Sequence, residues 1–231
     1  MGFGFKVLVA GPRACFTRPE LKAERVSYDV MTPSAARGIL EAIYWKPAIV
    51  WRVDSIEVIN PVRFDTFRRN EVSEKGSYGN AKTVAAGKSS KELYIDVTAA
   101  RQQRATMYLR DVCYVINAHF EMTDKAGPDD SVEKHYNIAL RRLRSGQCFY
   151  QPFFGCREFA VSEIRLIEEG DAAPESFYAE IEEKDFGFML FDIDFNERDE
   201  RGRKTYSPMF YRAVMRNGII DVPSSKAEVI R

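Results

Sequence analysis

Three side chains in this 231-residue sequence have the chemistry to move protons around a phosphate: Tyr44, Lys134 and His135. A lysine brings a full positive charge for an anion, and an imidazole, with a reference pKa of about 6.5, titrates near neutrality. Side by side, Lys134 and His135 offer both halves of a phosphoryl-transfer site without a metal. The plain reading of the pair is a solvated first turn of a helix, because most charged neighbours do no chemistry. A phenol such as Tyr44, with a reference pKa of about 10, is a poor base unless perturbed. It suits orienting a hydroxyl or sharing a proton.

Those residues need elements to hold them. The stretch Pro128-Asp129-Asp130-Ser131-Val132-Glu133-Lys134-His135-Tyr136 opens a helix. Asp129, Asp130 and Ser131 are all N-cap types, and acids there suit the helix dipole. Val132, Tyr136, Ala139, Leu140 and Leu143 fall on one apolar stripe, and Gly146 stops the helix. Lys134, His135, Arg141, Arg142 and Arg144 fall off that stripe. In the first turn, free backbone N–H groups also attract anions. An earlier helix starts with Thr32 as N-cap and Pro33 at its first position, carries Ala36, Ile39, Leu40 and Ile43 on one face, and ends before Pro47. At about 100° per residue, Tyr44 lines up with Arg37 and Glu41. It is therefore expected on the polar face, as a partly buried tyrosine at the helix exit.

Strand patterns surround these helices. They cover residues 3–10, ending at Gly11-Pro12, then 49–59, 93–98, 112–122 and 159–167. In 112–122, Val112, Tyr114, Ile116, Ala118, Phe120 and Met122 share one face, which puts His119 on the other, more polar one. There it either faces a ligand or is hydrogen-bonded within the sheet. Residues 66–87 are polar and basic and read as a flexible hairpin insertion. Arg101 and Arg104 are expected just ahead of the central strand. Residues 186–195 and 206–214, joined by a polar turn at 196–204, read as a hairpin, and 218–222 as a last short strand.

The order strand, helix, strand, insertion, strand, helix, strand is a βαββαβ plan. It predicts an α+β protein: a ferredoxin-like, RRM-like domain over residues 1–168 with a central β-hairpin insertion at about 65–108, followed by a small antiparallel β domain over 169–231. On this plan the exit of the first helix and the start of the second approach one edge, bringing Tyr44 toward Lys134 and His135.

Thirty-four basic and thirty-four acidic residues cancel, so nothing global points to nucleic acid and any such surface must be local. Cys15, Cys113, Cys148 and Cys156 are scattered without a C-x-x-C pair, which speaks against structural zinc. The sequence shows no signal-peptide pattern and no apolar run of membrane-spanning length, so a cytoplasmic protein with reduced thiols is expected.

Several segments together resemble a known family: Phe16-Thr17-Arg18-Pro19, Ile43-Tyr44-Trp45-Lys46-Pro47, Ala118-His119-Phe120, Lys134-His135-Tyr136 and Gly155-Cys156-Arg157-Glu158. In order and spacing they are similar to the subtype I-C CRISPR-associated RAMP proteins, Cas family five, subtype d (also called c). The resemblance spans most of the chain. It implies a metal-independent endoribonuclease, without a cofactor, that cuts CRISPR precursor RNA at the base of the repeat hairpin. It also implies that the protein stays on the 5′ handle of the crRNA within the type I-C interference complex, with other Cas subunits as partners. The family's catalytic tyrosine, lysine and histidine fall on Tyr44, Lys134 and His135.

The chemistry this implies uses the RNA's own 2′-hydroxyl as nucleophile, leaving a 2′,3′-cyclic phosphate. Candidate RNA-binding residues are Arg68, Arg69, Arg101, Arg104, His119, Arg141 and Arg142, each also readable as a solvated charge. A basic groove would admit DNA as well. The alternative function is a non-catalytic scaffold on the crRNA 5′ handle.

Overall fold

The computed structural model describes residues 4–21, 23–195, 198, 202–203, 205–224 and 229–230. Along the chain run β1 (Gly4–Ala14), β2 (Arg25–Val26), α1 (Pro33–Ile43), β3 (Ile49–Val58), β4 (Phe64–Val72), α2 (Tyr78–Ala85), β5 (Arg101–Met122), α3 (Val132–Ser145), β6 (Glu163–Leu166), β7 (Lys184–Asp194), β8 (Ser207–Arg216) and β9 (Ile219–Asp221). Among the described residues no helix is long and apolar enough to cross a membrane.

A mixed α/β molecule results, built on one large antiparallel sheet. Its strands follow the order β6-β1-β5-β3-β9-β8-β7, with β2 and β4 also pairing with β5. The central strand β5 buries Val112, Tyr114, Ile116, Ala118 and Phe120 on one face, the alternation a half-buried strand requires. That face meets Val7, Val9, Trp51, Ile56 and the apolar stripe of α1, which form the core. β9 reaches the sheet through a two-residue turn. Asn217 and Gly218 both take positive φ, at 48° and 86°, while Arg216 pairs with Ile219. The strands after residue 169 therefore extend the sheet that carries the helices.

Two compact units are distinguished: Met1–Asp65 with Met107–Arg231, and Thr66–Thr106. The smaller one contains most of β4, α2 and the start of β5. None of the residues of α2 is buried.

Several boundaries differ from the sequence expectation. Gly11-Pro12 does not end β1, because the ladder skips Pro12, which has no N–H, and resumes at Arg13↔Arg110. Opposite it, Asp111 takes φ 51°. Residues 93–98 form no strand, and Leu93, Tyr94 and Val97 stay exposed, so their β propensity has nothing to pack on. Arg101 and Arg104 lie inside the 22-residue β5, not ahead of it. The last expected strand of the first domain shrinks to Glu163–Leu166. Most of the polar turn at 196–204, and Phe3, lie outside the described residues.

Candidate active site

Local capping sets up the site. Thr32 accepts a hydrogen bond from the Ala35 N–H at 3.3 Å and starts α1. The helix stops at Ile43, and Tyr44 is its C-cap, extended at φ −152° and ψ 123°. This corrects the expected position of Tyr44. Helical spacing no longer applies at the cap, so its side chain leaves the line of Arg37 and Glu41 and is buried, at 2% exposure. Its carbonyl accepts from Trp51 Nε1 at 2.7 Å, which holds the turn.

At the start of α3, Ser131 is the N-cap and accepts from the Lys134 N–H at 3.2 Å. Gly146 closes the other end in the left-handed conformation, at φ 66°. The buried face of α3 is His135, Ala139 and Leu143, with Tyr136 half-buried at its side. That corrects a second expectation: His135 is the first residue of the stripe, 1% exposed, and not off it. A five-residue apolar pattern flanking a histidine is centred equally well on the histidine, and the sheet decides the centre. Phe120 meets the imidazole edge-on, with ring centroids 6.4 Å apart.

The two elements meet at the pair foreseen from topology. The Tyr44 hydroxyl and His135 Nδ1 are 2.7 Å apart and hydrogen-bonded. Burial pushes the Tyr44 phenol up; the Arg142 guanidinium pulls it down, and Asp130 pushes it up. Lys134 points outward, about half exposed, and Nζ donates to the Asp129 carbonyl and to Asp130 Oδ1, both at 3.0 Å. Backbone donation from Gly127, followed by the bond from Lys134, holds the Asp130 carboxyl below its usual range. The arrangement places a buried phenol–imidazole pair beneath a surface ammonium group.

The family model described as CRISPR-associated protein (Cas_Cas5), of the Cas5d type, matches residues 4–223. The chain belongs to the Cas5d family. A curated relative from Mannheimia succiniciproducens, named CRISPR pre-crRNA endoribonuclease Cas5d, is 50% identical over 222 residues, spanning 96% of this chain and 95% of the relative. A relative of the same name from Thermus thermophilus is 35% identical, over 96% of this chain and 92% of its own. A solved structure described as a CRISPR-associated protein shares the fold at TM-score 0.67 and 26% identity, over 99% and 96% of the two chains. A functionally uncharacterized protein from Streptococcus mutans shares it at TM-score 0.67 and 23% identity, over 99% and 97%.

In this Cas5d chain the expected RNA-binding residues scatter. Arg68 and Arg101 are exposed, and Arg69 and Arg104 are half-buried, all four within the unit Thr66–Thr106. Arg69 donates to Thr106 Oγ1 at 2.9 Å, and Arg104 lies 3.4 Å from Glu71. Arg141 is exposed on α3. His119 is half-buried in a cleft of about 820 Å³ that Arg37, Trp45, Arg52 and Asp192 also line, and its Nδ1 is 3.0 Å from Asp54 Oδ2. The hydrogen bond and the cleft bear on both of its readings.

Arg142 does something else. Nη1 donates to the Ile43 carbonyl at 2.7 Å and the guanidinium lies 5.2 Å from the centre of the Tyr44 ring. It ties α3 to the exposed carbonyl end of α1 and covers the site's tyrosine. Sequence reasoning missed this role, and it missed Asp130 as more than a cap candidate. The signal for Asp130 was present, four residues before Lys134, where an acid–base pair meets on a helix.

Proposed function

We propose that this Cas5d-family chain is a metal-independent endoribonuclease that cuts CRISPR precursor RNA at the base of the repeat hairpin. One observation carries the reading: the 2.7 Å hydrogen bond between Tyr44 and His135, beside Lys134. The names of the two curated relatives support the substrate class. In the cleavage, the RNA 2′-hydroxyl gives its proton to the Tyr44 oxygen as Tyr44 gives its own to His135 Nδ1. No free phenolate forms, so the raised phenol is no obstacle. The 2′-oxygen bonds to phosphorus, the bond to the 5′-oxygen breaks, and that oxygen takes a proton from Lys134 Nζ. Lys134 steadies the charge on the phosphorane.

The ferredoxin-like reading of residues 1–168 belongs to this proposal. The partial order β6-β1-β5-β3, with α1 leading from β1 to β3 and α3 from β5 to β6, supports it. So does the separate unit Thr66–Thr106 for the insertion. After cleavage the protein stays on the 5′ handle, in the cytoplasm, as a subunit of the type I-C interference complex with other Cas proteins.

A second reading, a scaffold that holds the handle without cutting it, draws on the burial of Tyr44 and His135 at 2% and 1%. One experiment separates the two. Purified protein is incubated with repeat RNA in EDTA, and the product ends are analysed. Cleavage with a 2′,3′-cyclic end is expected, and His135→Ala should abolish it while hairpin binding persists. Absence of cleavage both with and without EDTA leaves the scaffold; a 3′-hydroxyl end, or cleavage only when EDTA is left out, sinks the mechanism.

A further inference from the structure

The geometry points to Asp130 as the positioning residue that fixes the tautomer of His135 and holds Lys134 in place. This inference rests on the reading of Tyr44, Lys134 and His135 as the reacting set. Asp130 precedes the N-cap of α3 and is anchored on one side, since its Oδ2 accepts the Gly127 N–H at 3.0 Å. That leaves Oδ1 to face the site. It lies 3.0 Å from Lys134 Nζ and 3.2 Å from His135 Nε2. Nε2 is buried and makes no formed hydrogen bond among the described residues, so the carboxylate is close but off the line of its N–H. A small rotation of either group closes that bond.

The consequence follows from charge. A bare ring nitrogen cannot sit 3.2 Å from a carboxylate oxygen without repulsion between lone pairs, so Nε2 carries the ring proton. Neutral His135 then presents a lone pair at Nδ1, where Tyr44 donates. When the phenol proton passes to Nδ1, the ring becomes an imidazolium, and Asp130 stands ready to stabilise it. Asp130, His135 and Tyr44 are thus arranged as an orienting carboxylate, a base and a hydroxyl, the logic of a catalytic triad with tyrosine at the reacting end. The same carboxylate restrains the half-exposed Lys134, together with the Asp129 carbonyl that Nζ also meets.

Single-turnover cleavage of repeat RNA in EDTA tests this. Asp130→Asn should lower the rate on the order of tenfold or more, a fraction of what general base catalysis contributes. RNA binding should stay within about twofold, and Asp130→Glu, which keeps the carboxylate, should restore part of the rate. An unchanged rate in Asp130→Asn would overturn the inference, as would a rate loss that Asp130→Glu does not relieve. If His135→Ala cleaves like the wild type, the reacting set itself is wrong, and that result is distinct from either. An independent check needs no variant. The chain has two histidines, so nitrogen NMR can resolve His135. In the neutral ring Nε2 should carry the proton, and the opposite tautomer would overturn the assignment.

Discussion

At the scale of single residues, the site divides into groups whose removal has different consequences. Tyr44→Phe keeps the ring and deletes the oxygen bonded to His135. Cleavage should fall by about 100-fold or more, and stability by about 1 kcal/mol, the net worth of a hydrogen bond. Lys134→Ala touches an exposed side chain, so its stability should stay within roughly 0.5 kcal/mol while cleavage drops. A thermal melt beside a cleavage assay checks both, and a wild-type rate in Tyr44→Phe removes the phenol from the chemistry. Elsewhere, Cys156 makes a separate prediction. A hydrogen bond from the Cys15 thiol, against the cost of burial and with Arg25 helping, brings the Cys156 thiol down to about 6. The group is therefore a thiolate above that pH, and its alkylation by iodoacetamide should climb through pH 6 as pH rises. Mass spectrometry of the labelled protein reads this; a midpoint near 8.5, the ordinary thiol value, contradicts it.

Between elements, the chemistry depends on two helix ends being held together. Arg142 spans them, donating to the Ile43 carbonyl at the end of α1 from within α3. Arg142→Ala should cost about 1–3 kcal/mol, since it removes a charge-assisted bond and uncovers the Tyr44 ring. Cleavage should weaken with hairpin affinity nearly unchanged, and a large loss of affinity would instead return Arg142 to the RNA surface. The N-cap is a lighter lever. Ser131→Ala should cost about 1 kcal/mol and loosen the turn that carries Lys134 and His135. Helix capping was legible in advance: Thr32, Pro33 and Gly146 stand where their residue types predicted, and Ser131 is the N-cap among the three candidates Asp129, Asp130 and Ser131. Helix facing was less so. The stripe of α3 was placed one residue off, because the periodicity of apolar residues does not count a histidine, and the core that receives His135 comes from β5.

Across the whole molecule, the α1 helix is pinned to the C-terminal strands. Arg37 forms a two-bonded ion pair with Asp192 of β7, one contact being 2.9 Å. Asp192→Ala leaves the half-buried guanidinium with only Glu41, 3.4 Å away, as its acidic partner and should lower stability by about 2 kcal/mol, read from a denaturant midpoint. An unchanged midpoint would show that the pair contributes nothing. Tight chain approach also fixes the loop after α3. At Gly155, φ is 76° and a Cβ would lie 2.1 Å from the Cys15 carbonyl oxygen, which no side chain could tolerate.

The sequence by itself determined where α1 and α3 lie, though not α2, which it read as part of a hairpin; it also determined which face of β5 is buried and which three residues could serve a phosphate. Those are local matters of propensity, capping and periodicity, carried by a few neighbouring residues. Only the tertiary structure decided that Tyr44 leaves the polar face and is buried, that His135 belongs to the core side of α3, and that Asp130 and Arg142 join them. The reason is physical: a capping residue abandons the helical angle, and a side chain's surroundings are set by elements distant in the chain, as the 91-residue separation of Tyr44 at the end of α1 and His135 in α3 illustrates. Spacing along one element cannot report a hydrogen bond between two.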